Sequence, residues 1–280
     1  MNNKNISPLE IRKKIFLTGY SVNIAHLASA FSLLEILYSL YLNKHLNADP
    51  GDTNNPARDR LILSKGHGSL ALYTILQFAG FFDEKTLESF CKPGSVLGGE
   101  PCIPHIPGVE ATTGSLGHGL SIGVGMALAN KIDGRNNKTY VILGDGECEE
   151  GTIWEAVMFA AKEKLSNIIA IVDCNKIQKM GTVDDVMGIT NWKERFEDFG
   201  WDVVEVDGHD IDALDKVFEI PTNMTRPRMI LANTVKGKGV SVMENDPRWH
   251  WRLPSKKELK IFMSELKITE EEIKKCKKAI

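Results

Sequence analysis

"GDGECEEGTIWEAVMFAAKEKLSNIIAIVDCNKIQ", residues 144–178, opens with an acid between two glycines and closes on Asp-Cys-Asn after an apolar run. Just upstream lies "TYVIL", a short continuous apolar run of the kind that forms a buried strand. "IIAIV" reads the same way, and "TIWEAVMFAAKEK" between them has helical periodicity. Strand, helix and strand in that order predict a parallel pair joined by a crossover. In a parallel sheet all carboxyl ends share one edge, and ligands bind in the crevice there. Neighbouring strands lie about 4.8 Å apart. Asp145 and Asn175 therefore come within reach of one small object, although about thirty residues separate them along the chain.

A carboxylate and an amide oxygen are both hard donors and make half of a Mg²⁺ or Ca²⁺ site. The backbone carbonyl of Ile177 is placed to add a third oxygen. Magnesium commonly fills its remaining positions with water and phosphate oxygens. Gly144 and Gly146 leave room for a diphosphate to approach the backbone. Gly-Asp-Gly alone is a common turn, and Asp-Cys-Asn is an ordinary loop start. Only their spacing between two buried strands makes the reading specific.

The rest of the chain repeats the pattern. "RLILS", "VVEV" and "RMILANT" are further strands. Helices are expected over 8–24, 30–43, "LALYTILQFAGF" and "GSLGHGLSIGVGMALANK". The expected class is α/β, a parallel sheet covered by helices on both faces. Residues 91–113 form a long Gly/Pro-rich loop, a length associated with function or mobility. Gly119, Gly123 and Ala127 share one helix face. Their missing side chains allow a close backbone approach, either within the chain, near a cofactor or at a subunit contact. Residues 1–254 read as one domain, and 255–280 as a charged helical tail whose mixed signs suit a solvated face.

The 280 residues are 42% hydrophobic and 25% charged, enough for a sizeable core, and the net charge of -3 gives no reason to expect nucleic acid or membrane partners. No apolar run reaches the roughly 18 residues of a membrane span, and "MNNKNISPLE" has no leader-like features. Five cysteines without a CxxC pair predict free thiols and a cytoplasmic location.

The opening stretch closely resembles the thiamine diphosphate motif of transketolases. "SKGHGSLALY", "PGVEATTGSLGHGLSIGVGMALA", "DGHD" and "VKGKGV" resemble the same family in the same order, over roughly residues 10–254. The resemblance implies that Asp145, Asn175 and the Ile177 carbonyl hold the metal. It also implies that Gly144, Gly146 and the loop Gly114, Ser115 and Leu116 contact thiamine diphosphate, with His67 near its diphosphate. His26 and His250 align with active-site histidines, suited to proton exchange with sugar hydroxyls. Glu150 matches a glutamate at the cofactor and dimer interface; its plainer role is a helix N-terminal acid favoured by the dipole. The neighbouring acids Glu147 and Glu149 have raised pKa values if buried.

There is one clear departure. The family has Gly-Gly-His-Pro where this chain has "GGEP", so Glu100 replaces a histidine facing the donor ketose. An acid there disfavours a nearby anion and alters the hydrogen-bond pattern. The expected sugars therefore differ from the usual pentose and hexose phosphates.

In the family, a glutamate on a separate pyrimidine-binding domain promotes proton loss from the cofactor. That domain is not recognisable in this sequence. The resemblance thus implies the N-terminal subunit of a split transketolase, moving a two-carbon ketol unit from a ketose, commonly a phosphate, to an aldose. A C-terminal subunit would supply the pyrimidine-binding domain and its glutamate, in an α₂β₂ assembly. The alternatives are the alpha chain of a 2-oxo-acid dehydrogenase, which shares the metal motif, and a non-catalytic cofactor-binding relative.

Overall fold

The computed structural model describes residues 6–23, 26–189 and 191–278. Helix α1 (Pro8–Ser21) starts at a capping box, Ser7 and Glu10 each binding the other's backbone N–H. The expected helix over 30–43 is two helices, α2 (Leu27–Ser32) and α3 (Leu34–Tyr41), because Leu33 leaves helical geometry at φ -100°, ψ 5°. Strand β1 (Arg60–Leu63) leads through a tight turn at Gly66–Gly68 into α4 (Ser69–Ala79). A short α5 (Glu84–Glu88) precedes the long loop, and α6 (His118–Ile132) follows it. The opening stretch gives β2 (Thr139–Gly144), α7 (Gly151–Lys162) and β3 (Ile168–Cys174), as expected. Then come α8 (Val183–Val186), α9 (Trp192–Asp198), β4 (Asp202–Asp207), α10 (Ile211–Glu219) and β5 (Arg228–Asn233). The chain continues into α11 (Lys256–Glu265) and α12 (Glu270–Lys278).

All five strands are parallel, in the order β1-β2-β3-β5-β4. β2 and β3 are neighbours, with Gly144 opposite Asp173, so the two ends of the opening stretch do share one edge. Both strands are buried along their whole length, which explains their continuous apolar runs. Alternate residues feed two cores. Tyr140, Ile142, Ile169, Ile171 and Ile230 face α1, α3, α4 and α10; Val141, Leu143, Ala170, Val172 and Met229 face α6, α7 and α9. This is the expected two-faced α/β sandwich.

The glycine face of α6 packs within the chain. A Cβ on Gly123 would collide with Val141 of β2, and one on Gly119 with Ser64 at the end of β1. At the C-terminus, Phe262, Leu266, Ile268 and Ile273 are buried in the first core, and α12 lies against α1. The mixed charges seen in the sequence lie mostly on the outer side of these helices. All five cysteines are free thiols.

Candidate active site at the carboxyl edge of the sheet

The chain leaves β2 at Gly144 and turns at once into a 3₁₀ turn, Gly146–Glu149, capped by Asp145. Asp145 is only 3% exposed. One carboxylate oxygen accepts the Gly146 N–H at 2.8 Å, and the other accepts the Lys176 N–H. The second bond ties Asp145 to the segment leaving β3, which carries Asn175 and Ile177. Asp145 is thus held against the segment that carries the other two residues expected to hold a metal. Burial, with the Asp173 charge adding to it, pushes the Asp145 carboxyl up to about 6.

The Asn175 amide is oriented by its neighbours. Its Nδ2 donates to Asp173 Oδ2 at 3.2 Å, and its Oδ1 accepts the Ile177 N–H at 3.1 Å. Oδ1, the oxygen, is therefore turned away from Asp173. Asp173 itself is fully buried and accepts from Lys65, Ser32 and Thr234 as well. Burial alone would raise its pKa; the Lys65 ammonium and these hydrogen bonds outweigh that and hold it below the usual value.

A second carboxylate organises the glycine loops. Glu147 accepts from Ser64 Oγ and the Gly117 N–H through one oxygen, and from the Gly144 N–H through the other. It is buried, and burial raises its pKa, as expected for this acidic cluster. Glu149 instead accepts from Gln178 Nε2, clamping the loop after Ile177. Glu150 caps α7 without a side-chain cap bond and is exposed, with its Cβ and Cγ packed beside Gly117.

Gly114 has φ +135°, and any Cβ there would collide with the Glu100 carboxylate. The same loop touches the turn holding His67, since a Cβ on Gly66 would lie 2.9 Å from Gly114 N. Ser115 is exposed and Leu116 half-buried beside it. Glu100 is exposed; its carbonyl accepts from Tyr73 Oη at 3.0 Å.

The three candidate histidines form one cluster. Ring centroids are 5.4 Å apart for His26 and His67, 5.5 Å for His26 and His250, and 5.7 Å for His67 and His250. Trp251 meets the His26 ring edge-on at 4.2 Å. Burial, then the nearby lysine charges of which Lys236 is the largest, lower His26 to about 4. Burial followed by Lys236 lowers His250 to about 3, and burial takes His67 well below its usual value. All three are neutral imidazoles near pH 7, able to accept or donate a proton.

Two residues in this site, Lys65 and Lys236, went unassigned in the sequence. They are 1% and 2% exposed. Lys236 Nζ donates to the Ile177 carbonyl at 2.8 Å and meets His250 Nδ1 at 3.0 Å. Burial, then the Lys65 charge, lowers it to about 8. The available signal was a lysine beside glycine just after a strand, in "SKGHGS" and "VKGKGV".

The donors fit a hard cation that takes part of its shell from elsewhere. Among the described residues no group of three or more His, Cys, Asp or Glu could hold a metal. One carboxylate, one amide oxygen and one carbonyl are what remains, together with positive lysines suited to an anionic ligand.

The family model described as "Transketolase, thiamine diphosphate binding domain" matches residues 20–266. One subunit of the apulose-4-phosphate transketolase of Actinobacillus succinogenes is 40% identical over 275 residues, 95% of this chain and 99% of that one. The protein of the same name from Phocaeicola vulgatus is 40% identical over 87% of this chain and 86% of its own. A 6-deoxy-6-sulfo-D-fructose transketolase subunit of a Clostridium species is also 40% identical, covering 80% and 81%. Among solved structures, the transketolase of Campylobacter jejuni superposes with a TM-score of 0.84 at 31% identity, over 98% of this chain and 46% of that one. A transketolase of Pichia stipitis gives 0.85 at 28%, over 97% and 43%. The chain spans less than half the length of those solved enzymes. Its fold and its match over nearly the full length of the apulose-4-phosphate transketolase subunits agree: the chain belongs to the transketolase family, as its N-terminal, thiamine diphosphate-binding part.

Proposed function

We propose that this chain is the metal- and diphosphate-holding subunit of a two-chain transketolase. The reaction is transfer of a two-carbon ketol unit from a ketose to an aldose. The observation that carries it is the bond from the Lys176 N–H to Asp145, which draws the segment carrying Asn175 and Ile177 to the sheet edge after β2, beside a cluster of three histidines. Asp145, Asn175 and Ile177 would hold Mg²⁺, or Ca²⁺ in its place. Lys236 and His67 would meet the diphosphate. Bound there, thiamine diphosphate supplies a nucleophilic carbon and an electron sink for the ketol fragment. His26 and His250, kept neutral by burial and positive neighbours, would exchange protons with sugar hydroxyls.

A partner chain carrying the pyrimidine-binding domain and its glutamate would complete the site, in an α₂β₂ assembly working in the cytoplasm. The relatives matched over most of their length are named as subunits, which supports a partner. Relatives of this chain are named for apulose 4-phosphate and for 6-deoxy-6-sulfo-D-fructose. For this chain we infer a sugar outside the usual pentose and hexose phosphates, with Glu100 beside Gly114 contributing to the choice.

The test is binding, then turnover. The full chain, titrated calorimetrically with thiamine diphosphate and Mg²⁺, is expected to bind, and Asp145→Asn to lose that binding while keeping its fold. Ketol transfer should appear only when the partner chain is added. Turnover of ketose donors by the isolated chain would refute the two-chain arrangement; absence of cofactor binding would refute the site.

A further inference from the structure

The segment "DGHD", residues 207–210, supplies none of the donors or histidines described above. Its histidine is nevertheless the centre of a buried chain of contacts that ends at the Lys236 loop. His209 follows β4, and the neighbouring Gly208 N–H is bonded to the Asn233 carbonyl at 2.8 Å. His209 Nδ1 meets Glu35 Oε2 at 2.9 Å. On the other side of the ring, Nε2 accepts the Val235 N–H at 2.8 Å. A nitrogen that accepts a backbone N–H carries no proton, so Nδ1 carries it and donates to Glu35. The other Glu35 oxygen pairs with Arg12 Nη2 at 2.6 Å. The three side chains are 8%, 5% and 12% exposed in the order Arg12, Glu35, His209. The chain therefore runs from α1 to α3, across the His209 ring, to the backbone immediately before Lys236.

We propose that His209 is a positioning residue for Lys236, with Glu35 fixing its tautomer. This rests on the reading of Lys236 as a diphosphate ligand. The Lys236 loop is also held by Thr234 N–H to the Cys174 carbonyl at 3.3 Å, Gly237 N–H to the Ala28 carbonyl at 3.1 Å, Gly239 N–H to the Glu244 carboxylate at 2.8 Å, Asn245 N–H to the Lys236 carbonyl at 3.0 Å, and the Thr234 hydroxyl on Asp173, but none of these holds the Val235 amide. Gly237 has φ +81° and abuts Met243, so the loop follows an unusual path that needs fixing at both ends. The acceptor of the Val235 N–H is His209. If the imidazole protonates Nε2 instead, donor faces donor and the loop is pushed off. Glu35 prevents this by demanding a proton on Nδ1. Arg12 in turn holds the other Glu35 oxygen and so aims the carboxylate.

Two substitutions separate the halves of this ring. In His209→Gln the side-chain amide oxygen reaches the Nε2 position and can still accept from Val235. The shorter amide of His209→Asn reaches only the Nδ1 position, and keeps Glu35 while losing Val235. Hydrogen exchange on the ligand-free full chain reads the loop directly, without any cofactor. Amides 234–240 are expected to exchange about 10-fold faster or more in His209→Asn, a factor corresponding to about 1.4 kcal/mol, and near the wild-type rate in His209→Gln. Glu35→Gln, whose side chain is bonded to Arg12 and His209, should also speed exchange there. Thiamine diphosphate with Mg²⁺ should bind more weakly to the Asn variant than to the Gln variant by a similar factor. Equal exchange in wild type and His209→Asn overturns the positioning role, as does a Gln variant as loose as the Asn variant. Should His209→Asn fail to fold, Glu35→Gln against His209→Gln makes the same comparison. Failure of the wild type to bind the cofactor would refute the functional reading, and leave the exchange result to decide the positioning.

Discussion

Asp173→Asn is the substitution whose cost follows most directly from the structure. The carboxylate is 0% exposed and takes four donors: Lys65 Nζ, Ser32 Oγ, Asn175 Nδ2 and Thr234 Oγ1. Lys65 is equally buried and has no other ion-pair partner among the described residues. The asparagine removes the charge and turns an NH₂ toward at least one of these donors, because both oxygens are in use. Breaking a buried pair by removing one partner costs about 3–5 kcal/mol. That is a large part of the roughly 5–15 kcal/mol that holds a typical domain folded. Denaturant unfolding of the full chain measures the loss. Lys65→Met in the same background removes the stranded ammonium, so the double variant is expected to be more stable than the sum of the two singles by about 2 kcal/mol or more. The Asp173 carboxyl is held below its ordinary value. The pair's contribution is therefore present above the unfolded carboxyl value of 3.8 and is lost as pH falls through the folded one. A single-variant loss under about 1 kcal/mol, or strict additivity, would refute the argument that this ion pair is desolvated and essential.

Three other outcomes follow. His250 is lowered to about 3 in the fold, so its neutral burial favours the folded state above the unfolded value of 6.5 and becomes a penalty as pH falls below it. The stability of wild type relative to His250→Gln should fall between pH 6.5 and about 3, by less than about 1.4 kcal/mol per pH unit because the ring is only part-buried; a flat difference would contradict this. Gly123→Val drives a side chain into Val141 and should cost about 1–3 kcal/mol, while Gly125→Ala on the same helix meets nothing within 4 Å and should gain up to about 1 kcal/mol in thermal or denaturant unfolding. Glu100→His should shift the donor preference of the complete enzyme toward ordinary ketose phosphates in a donor screen; an unchanged preference would remove Glu100 from the choice of sugar.

The central strands were legible from the chain alone because β2, β3 and β5 are buried along nearly their whole length and read as apolar runs followed by glycine or a small polar residue; the edge strand β4 is only part-buried and carries Glu205 within its run. Asp145 and Asn175 were legible for the same reason: strand ends in a parallel sheet fall on one edge, so two short motifs at crossover spacing predict a meeting point. The split between α2 and α3 was not, because Leu33 is as good a helix former as its neighbours and only packing turns it. Lys65, Lys236, Asp173 and His209 carried no periodic signal. Their roles come from which buried groups face each other across strands and loops, and hydrogen bonding between residues as distant as Lys65 and Asp173 is set by the fold's geometry. Likewise, the close approach of α6 was readable as a glycine face, but the surface that fills it, Ser64 and Val141, was decided only when helix and sheet came together.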